Sequence, residues 1–88
     1  MPSSQERDPL ILALGKAVKA LRLKAGLSQD ALGERAGIHS TWISQIENGR
    51  VNPTVSNLFL LSEGLGVKLS ELILLAEELN RRRQQRED

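Results

Sequence analysis

Cysteine and tyrosine are absent from this sequence, histidine and tryptophan occur once each, and Phe59 is the only other aromatic residue. Without cysteine there are no disulfides and no thiolate metal sites, and the lone His39 cannot assemble a metal site with other histidines. Neither a metal nor a cofactor is therefore expected. With aromatics so scarce, the core must come from Leu, Ile, Val and Ala, which favours helices over sheet. Long apolar runs are missing too, far short of the ~20 residues that span a bilayer. Residues 1–8 are polar and mixed in charge and do not resemble a secretory leader. A cytoplasmic protein without a membrane partner is the simplest expectation.

What is present fits one small domain. At 88 residues the chain leaves no room for a separate catalytic or ligand-sensing domain, so no small-molecule effector is expected. Apolar residues make up 40% of it, enough for a core. Chains this short bury only roughly 60% of their unfolded surface, and oligomerisation is a common remedy. The net charge of +1 conceals a polarity. From Pro9 to Ser56, Lys16, Lys19, Arg22, Lys24, Arg35 and Arg50 face only Asp30, Glu34 and Glu47, whereas from Asn57 to Asn80 Lys68 faces Glu63, Glu71, Glu77 and Glu78. A basic front and an acidic back suit a molecule that meets phosphates on one side.

Punctuation divides the chain into five helical segments, at about 9–24, 29–36, 40–48, 55–65 and 71–81. Asp8 and Pro9 suit the start of the first, and Leu10, Leu14, Ala17, Val18 and Leu21 define its buried face. Ser28, Thr54 and Ser70 are candidate N-caps, while Gly26, Gly37, Gly49 and Gly66 are stops. No segment alternates strictly, so strands are not expected. The reading is an all-α domain over residues 9–80, with a loosely ordered stretch at 1–8 and a frayed, charged tail at 81–88. Each helix is near or below the ~12–15 residues at which isolated helices become marginal, so all depend on mutual packing.

The second and third helices are separated by little more than Gly37 and Ile38, the sharp junction of a helix-turn-helix. On a wheel of about 100° per residue, Ile43, Ile46 and Trp42 share one side of the third helix. Ser40, Thr41, Ser44, Gln45 and Asn48 form an opposite band with no charge. An ordinary surface helix would carry Lys and Glu there. Short hydroxyl and amide side chains can approach base edges, Gln pairing with adenine and a Thr methyl packing on thymine. The segment His39–Asn48 is thus the candidate reader of a DNA major groove.

The ordered series L-R-L-K-A-G-L-S-Q at 21–29, A-L-G-E-R-A-G-I at 31–38, W-I-S-Q-I-E-N-G-R at 42–50, N-P-T at 52–54 and L-G-V-K-L-S-E-L at 65–72 resembles the Cro/C1-type (XRE-like) helix-turn-helix repressors. The resemblance implies a five-helix fold of the lambda-repressor-like DNA-binding type and double-stranded DNA as partner. It implies a phosphate contact for Gln29, base reading by Ser40, Thr41, Ser44 and Gln45, and a backbone grip by Asn48, Arg50 and Asn52. It also implies an orienting ion pair between Arg22 and Glu47. His39 could cap the third helix, meet a phosphate or touch a base, and Trp42 could pack in the core, contact the DNA backbone, or do both. Gly33 and Gly64 stand where the family more often has Ala, at up to ~1 kcal/mol of helix propensity each.

The fifth helix carries more apolar surface than one buried face needs. Either it completes the core, or Leu72, Ile73 and Ala76 form the interface of a homodimer that reads a palindrome, with recognition helices about 34 Å apart. A dimeric transcriptional repressor is the favoured function. The alternative is an antitoxin-like or other protein-binding module with secondary DNA binding. Enzymatic activity is not expected, because no nucleophile–base set, phosphate loop or metal cluster is present.

Overall fold

The computed structural model describes residues 8–87, with side chains for residues 8–85. Among them the chain forms α1 (Pro9–Lys24), α2 (Gln29–Ala36), α3 (Ser40–Glu47), α4 (Val55–Leu65) and α5 (Leu69–Glu87), and no strand. The loosely ordered stretch expected at the N-terminus falls, but for Asp8, outside the described residues.

Helix starts follow local chemistry. The first N–H groups of a helix have no intrahelical partner, and a preceding carboxylate or hydroxyl supplies one. Asp8 accepts from the Leu10 N–H at 2.8 Å, Ser28 from Ala31 at 3.0 Å, and Thr54 from Asn57 at 3.1 Å. The third helix ends at Glu47, with Asn48 as its cap.

Helix α5 departs from expectation at both ends. It begins at Leu69, not after Ser70, because the Lys68 carbonyl accepts from the Glu71 and Leu72 N–H groups. The Glu71 carboxylate reaches back to the Lys68 N–H at 3.3 Å, the returning half of a capping box. Ser70 lies inside the first turn. At the far end the helix runs on to Glu87 and absorbs most of the stretch expected as a tail. Arg and Gln are good helix formers, and Glu78 pairs with Arg81 and Arg82 one turn on. The Arg81 hydrogen bond is the main reason the Glu78 carboxyl is held below its ordinary pKa.

Helix α1 lies along α5 and crosses α3, while α2 packs against α4 and α3. Between them Val18, Leu32, Ile43, Leu61 and Leu72 are wholly buried. Leu72 and Ala76 belong to this core, at 0% and 2% exposure, so of the three residues suggested for a dimer interface only Ile73 offers much exposed surface. The helical stripe that reaches outward includes Ile73. Leu10 is the reverse correction: expected in the buried face of α1, it is half exposed, at the rim of a groove between α1, α4 and α5.

Close packing accounts for the two unusual glycines. A Cβ on Gly33 would stand 2.5 Å from the Ile38 carbonyl oxygen, where the turn folds back over α2. A Cβ on Gly64 would meet Leu32 at 3.1 Å and Ala36 at 3.2 Å, at the crossing of α2 and α4. Leu32 sits under this crossing, so Leu32→Ala should lower stability by about 2–5 kcal/mol. A fall in the urea midpoint at unchanged slope would verify that loss, and a change below the range would mean the core refills the void.

Candidate nucleic-acid interface

Gly37 closes α2 in the left-handed region, at φ 71°, where a side chain would be strained. The chain reverses, and the Ile38 N–H donates to the Gly33 carbonyl at 3.0 Å. Two residues later α3 starts. Its N-cap is His39, whose Nδ1 accepts the Thr41 N–H at 3.0 Å. An accepting ring nitrogen carries no proton, so the neutral imidazole holds its hydrogen on Nε2. The exposed ring thus offers a donor from the start of α3. Of the three uses open to His39 in the sequence, capping is the one this geometry displays.

Helix α3 drives Ile43 and Ile46 into the core, and Trp42 packs half-buried against the same cluster. Ser40, Ser44 and Gln45 are half-buried and Thr41 is exposed. Helical periodicity places these four on the side away from the core, as a row of short polar groups without charge. Arg50 and Asn52 are exposed in the following loop, alternating with half-buried Val51 and buried Pro53. Asn48 is engaged differently: its Nδ2 donates to the Ser44 carbonyl at 2.8 Å, so this amide closes the last turn of α3.

The scaffold beneath is charged and buried. Arg22 donates from Nε to Glu47 Oε2 at 2.7 Å and from Nη2 to Oε1 at 3.0 Å, with side-chain exposures of 9% and 3%. Its Nη1 donates to the Leu27 carbonyl at 2.8 Å. Hydrogen bonding to Glu47 raises the guanidinium pKa, against the opposing effect of burial. Gln29, expected on a phosphate, also reaches this carboxylate, donating from Nε2 to Oε1 at 3.2 Å.

Gly15 is the positioning residue that sequence reasoning missed. A Cβ there would lie 2.3 Å from the Ile46 carbonyl oxygen and 2.8 Å from that of Glu47, so α1 and α3 touch backbone to backbone at the end of α3. Its signal was an isolated glycine within an otherwise regular helical pattern. No helix of the described residues is long and apolar enough to cross a membrane, and no cluster of three or more His, Asp or Glu side chains among them is placed to hold a metal.

Two short helices across a glycine turn, the second displaying an uncharged polar row, define a helix-turn-helix unit. Residues 18–72 match the helix-turn-helix family, more than half of the chain. This protein belongs to the Cro/C1-type helix-turn-helix transcriptional regulators. It is 37% identical over 65 residues to an HTH-type transcriptional regulator of Sinorhizobium fredii, covering 74% of this chain and 84% of that one. It is 31% identical over 62 residues to the immunity repressor protein of Bacillus phage phi105, covering 70% of this chain but 43% of the relative. Among solved structures, the restriction-modification controller protein C.AhdI from Aeromonas hydrophila superposes with a TM-score of 0.69 at 27% identity, over 70% of this chain and 94% of that one.

Removing one partner of a buried ion pair strands the other. Glu47→Ala should therefore lower stability by about 3 kcal/mol, whereas the paired change Arg22→Met with Glu47→Leu should recover most of the loss. Thermal melts of the three proteins provide the comparison. Equal losses in the single and paired variants would show that packing, and not the stranded charge, sets the cost.

Proposed function

We propose that this protein is a sequence-specific regulator of transcription that binds a palindromic operator as a homodimer, with α3 in the major groove, and acts as a repressor. The uncharged row Ser40, Thr41, Ser44 and Gln45, carried on a helix whose far end is clamped, is the observation that carries this reading. In it Gln45 is the principal base reader. Gln29, Arg50, Asn52 and the His39 Nε2–H hold phosphates, and Trp42 and Asn48 border that grip. The phage relative, a repressor by name, supports the direction of regulation.

The dimer reading rests on a wider surface that keeps Ile73 and Ala76. An apolar groove of about 360 Å³ is lined by Leu10, Ile11, Leu14, Val55, Leu58 and Ile73 at the junction of α1, α4 and α5, beside the Asn52–Pro53 loop. Leu10 is 50% exposed, Val55 72% and Ile73 36%. A second copy of the chain seated here would place the two phosphate-gripping loops near its dyad. Leu74, 67% exposed, lies outside that groove and supports a second reading, a module that sequesters a partner protein.

Selection of bound duplexes from a random pool should return one inverted repeat. Gln45→Ala should then cost about 1–3 kcal/mol at a single base pair in each half-site, and a uniform loss across sequences would remove it as a reader. Arg50→Ala should instead weaken all duplexes alike and reduce the salt slope by about 1 per half-site. Val55→Asp with Ile73→Asp should yield monomers in sedimentation that keep half-site binding but lose the advantage of the palindrome. Dimers that survive both changes would place the interface elsewhere.

A further inference from the structure

Gln29 opens α2 and Glu47 closes α3, 18 positions apart, yet their side chains meet at 3.2 Å. The partner matters more than the distance. An ionised carboxylate only accepts hydrogen bonds, so it can be met by the NH2 end of the glutamine amide and not by its carbonyl. A solvent-facing glutamine turns its amide over freely. Here such a flip would exchange a charge-assisted hydrogen bond for an oxygen facing an anion. The Glu47 carboxylate is itself immobile, held by the Arg22 fork and almost wholly buried, while Arg22 is tied to the Leu27 carbonyl just before α2.

A phosphate oxygen likewise only accepts. The Gln29 amide nitrogen has two hydrogens, one directed at Glu47 and one left for an anion at the start of α2, where the helix dipole also favours negative charge. Holding the side chain in that state before binding removes rotamer entropy that a free glutamine would lose on the DNA. We propose that Glu47, besides pairing with Arg22, is a positioning residue for DNA binding: it presents the Gln29 N–H to a phosphate and so couples the backbone grip of α2 to the placement of α3. This rests on the reading of Gln29 as a phosphate contact.

Glu47→Asp separates the two roles. It keeps the negative charge for Arg22, whose long side chain can follow, but withdraws the carboxylate by about 1.5 Å from Gln29. On a duplex selected by the wild-type protein, Gln29→Met should weaken binding about tenfold, or about 1.4 kcal/mol. Glu47→Asp should weaken it to a similar degree, and the double variant should be no more than about twofold weaker than Gln29→Met. Neutral methylphosphonate placed at each operator phosphate in turn should identify one position that matters to the wild type and to neither single variant.

If Gln29→Met leaves affinity and the methylphosphonate pattern unchanged, Gln29 is not a phosphate contact and both readings fall. If it weakens binding while Glu47→Asp adds an independent loss, or keeps the wild-type methylphosphonate response, the contact stands and positioning by Glu47 is overturned. Should Glu47→Asp not fold, the two side-chain N–H resonances of Gln29 in the wild-type protein decide. One held towards Glu47 before and after DNA is added, with only the other shifting, supports the proposal. Two resonances at the shifts of a free glutamine amide, both unchanged by DNA or both shifting with it, overturn it.

Discussion

The placement of α3 depends on what happens at its last turn, where Arg22 grips Glu47 and the backbone of α1 at Gly15 lies directly on the Ile46 and Glu47 carbonyls. An eight-residue helix is too short to persist alone in water. Its first turn is held by a single side-chain cap at His39 and its middle by Ile43 and Ile46 in the core. Hydrophobic contacts of this kind confine a helix to a surface but tolerate small slides and rotations along it. A two-point fork between a guanidinium and a carboxylate is directional, and it acts where sliding would be greatest. The cost of taking both charges out of water offsets much of their attraction, so the directionality of the fork is the pair's distinctive contribution.

The same clamp organises what lies around it. By reaching the Leu27 carbonyl as well as Glu47, Arg22 joins the end of α1, the approach to α2 and the end of α3 at one guanidinium. The Gln29 amide closes the group from the other side. The two helices of the helix-turn-helix are therefore related not only by the glycine turn between them, which is short and local, but by a charged cluster at the opposite end of α3. A unit held at both ends keeps its angle when one face is loaded by a rigid partner.

The packing of α1, α4 and α5 is built on less specific terms. The core is aliphatic and small, and α5 packs along α1 through Leu72 and Ala76. Val55, Leu10 and Ile73 are left over around a groove that the single chain does not fill. In a domain of this size such unspent apolar surface is a sizeable fraction of what could be buried.

Helix starts, turns and the sidedness of α3 were legible in the residues because each is decided within about one helical turn: a carboxylate or hydroxyl before a helix, a glycine after it, a period of 3.6. Family resemblance added the Arg22–Glu47 pair, which no local pattern contains. The misreading of the dimer residues concerns contacts between elements. Leu72 and Ala76 share one face of α5, and packing along α1 makes them core, while Ile73, about 100° round the helix, reaches solvent. Ser70 looked like a cap, but the Glu71 side chain and the Lys68 carbonyl start α5 two residues earlier. Gly15 stood out only as an isolated glycine in a helix, and its contact with α3 lay outside any local pattern. The sequence alone determined that this protein is a helix-turn-helix with an uncharged polar row on α3, since periodicity and capping are properties of neighbours in the chain. Only the tertiary structure decided that Gln29 meets Glu47 and that α1 touches α3 at a glycine, because those distances exist only once separate helices are packed together.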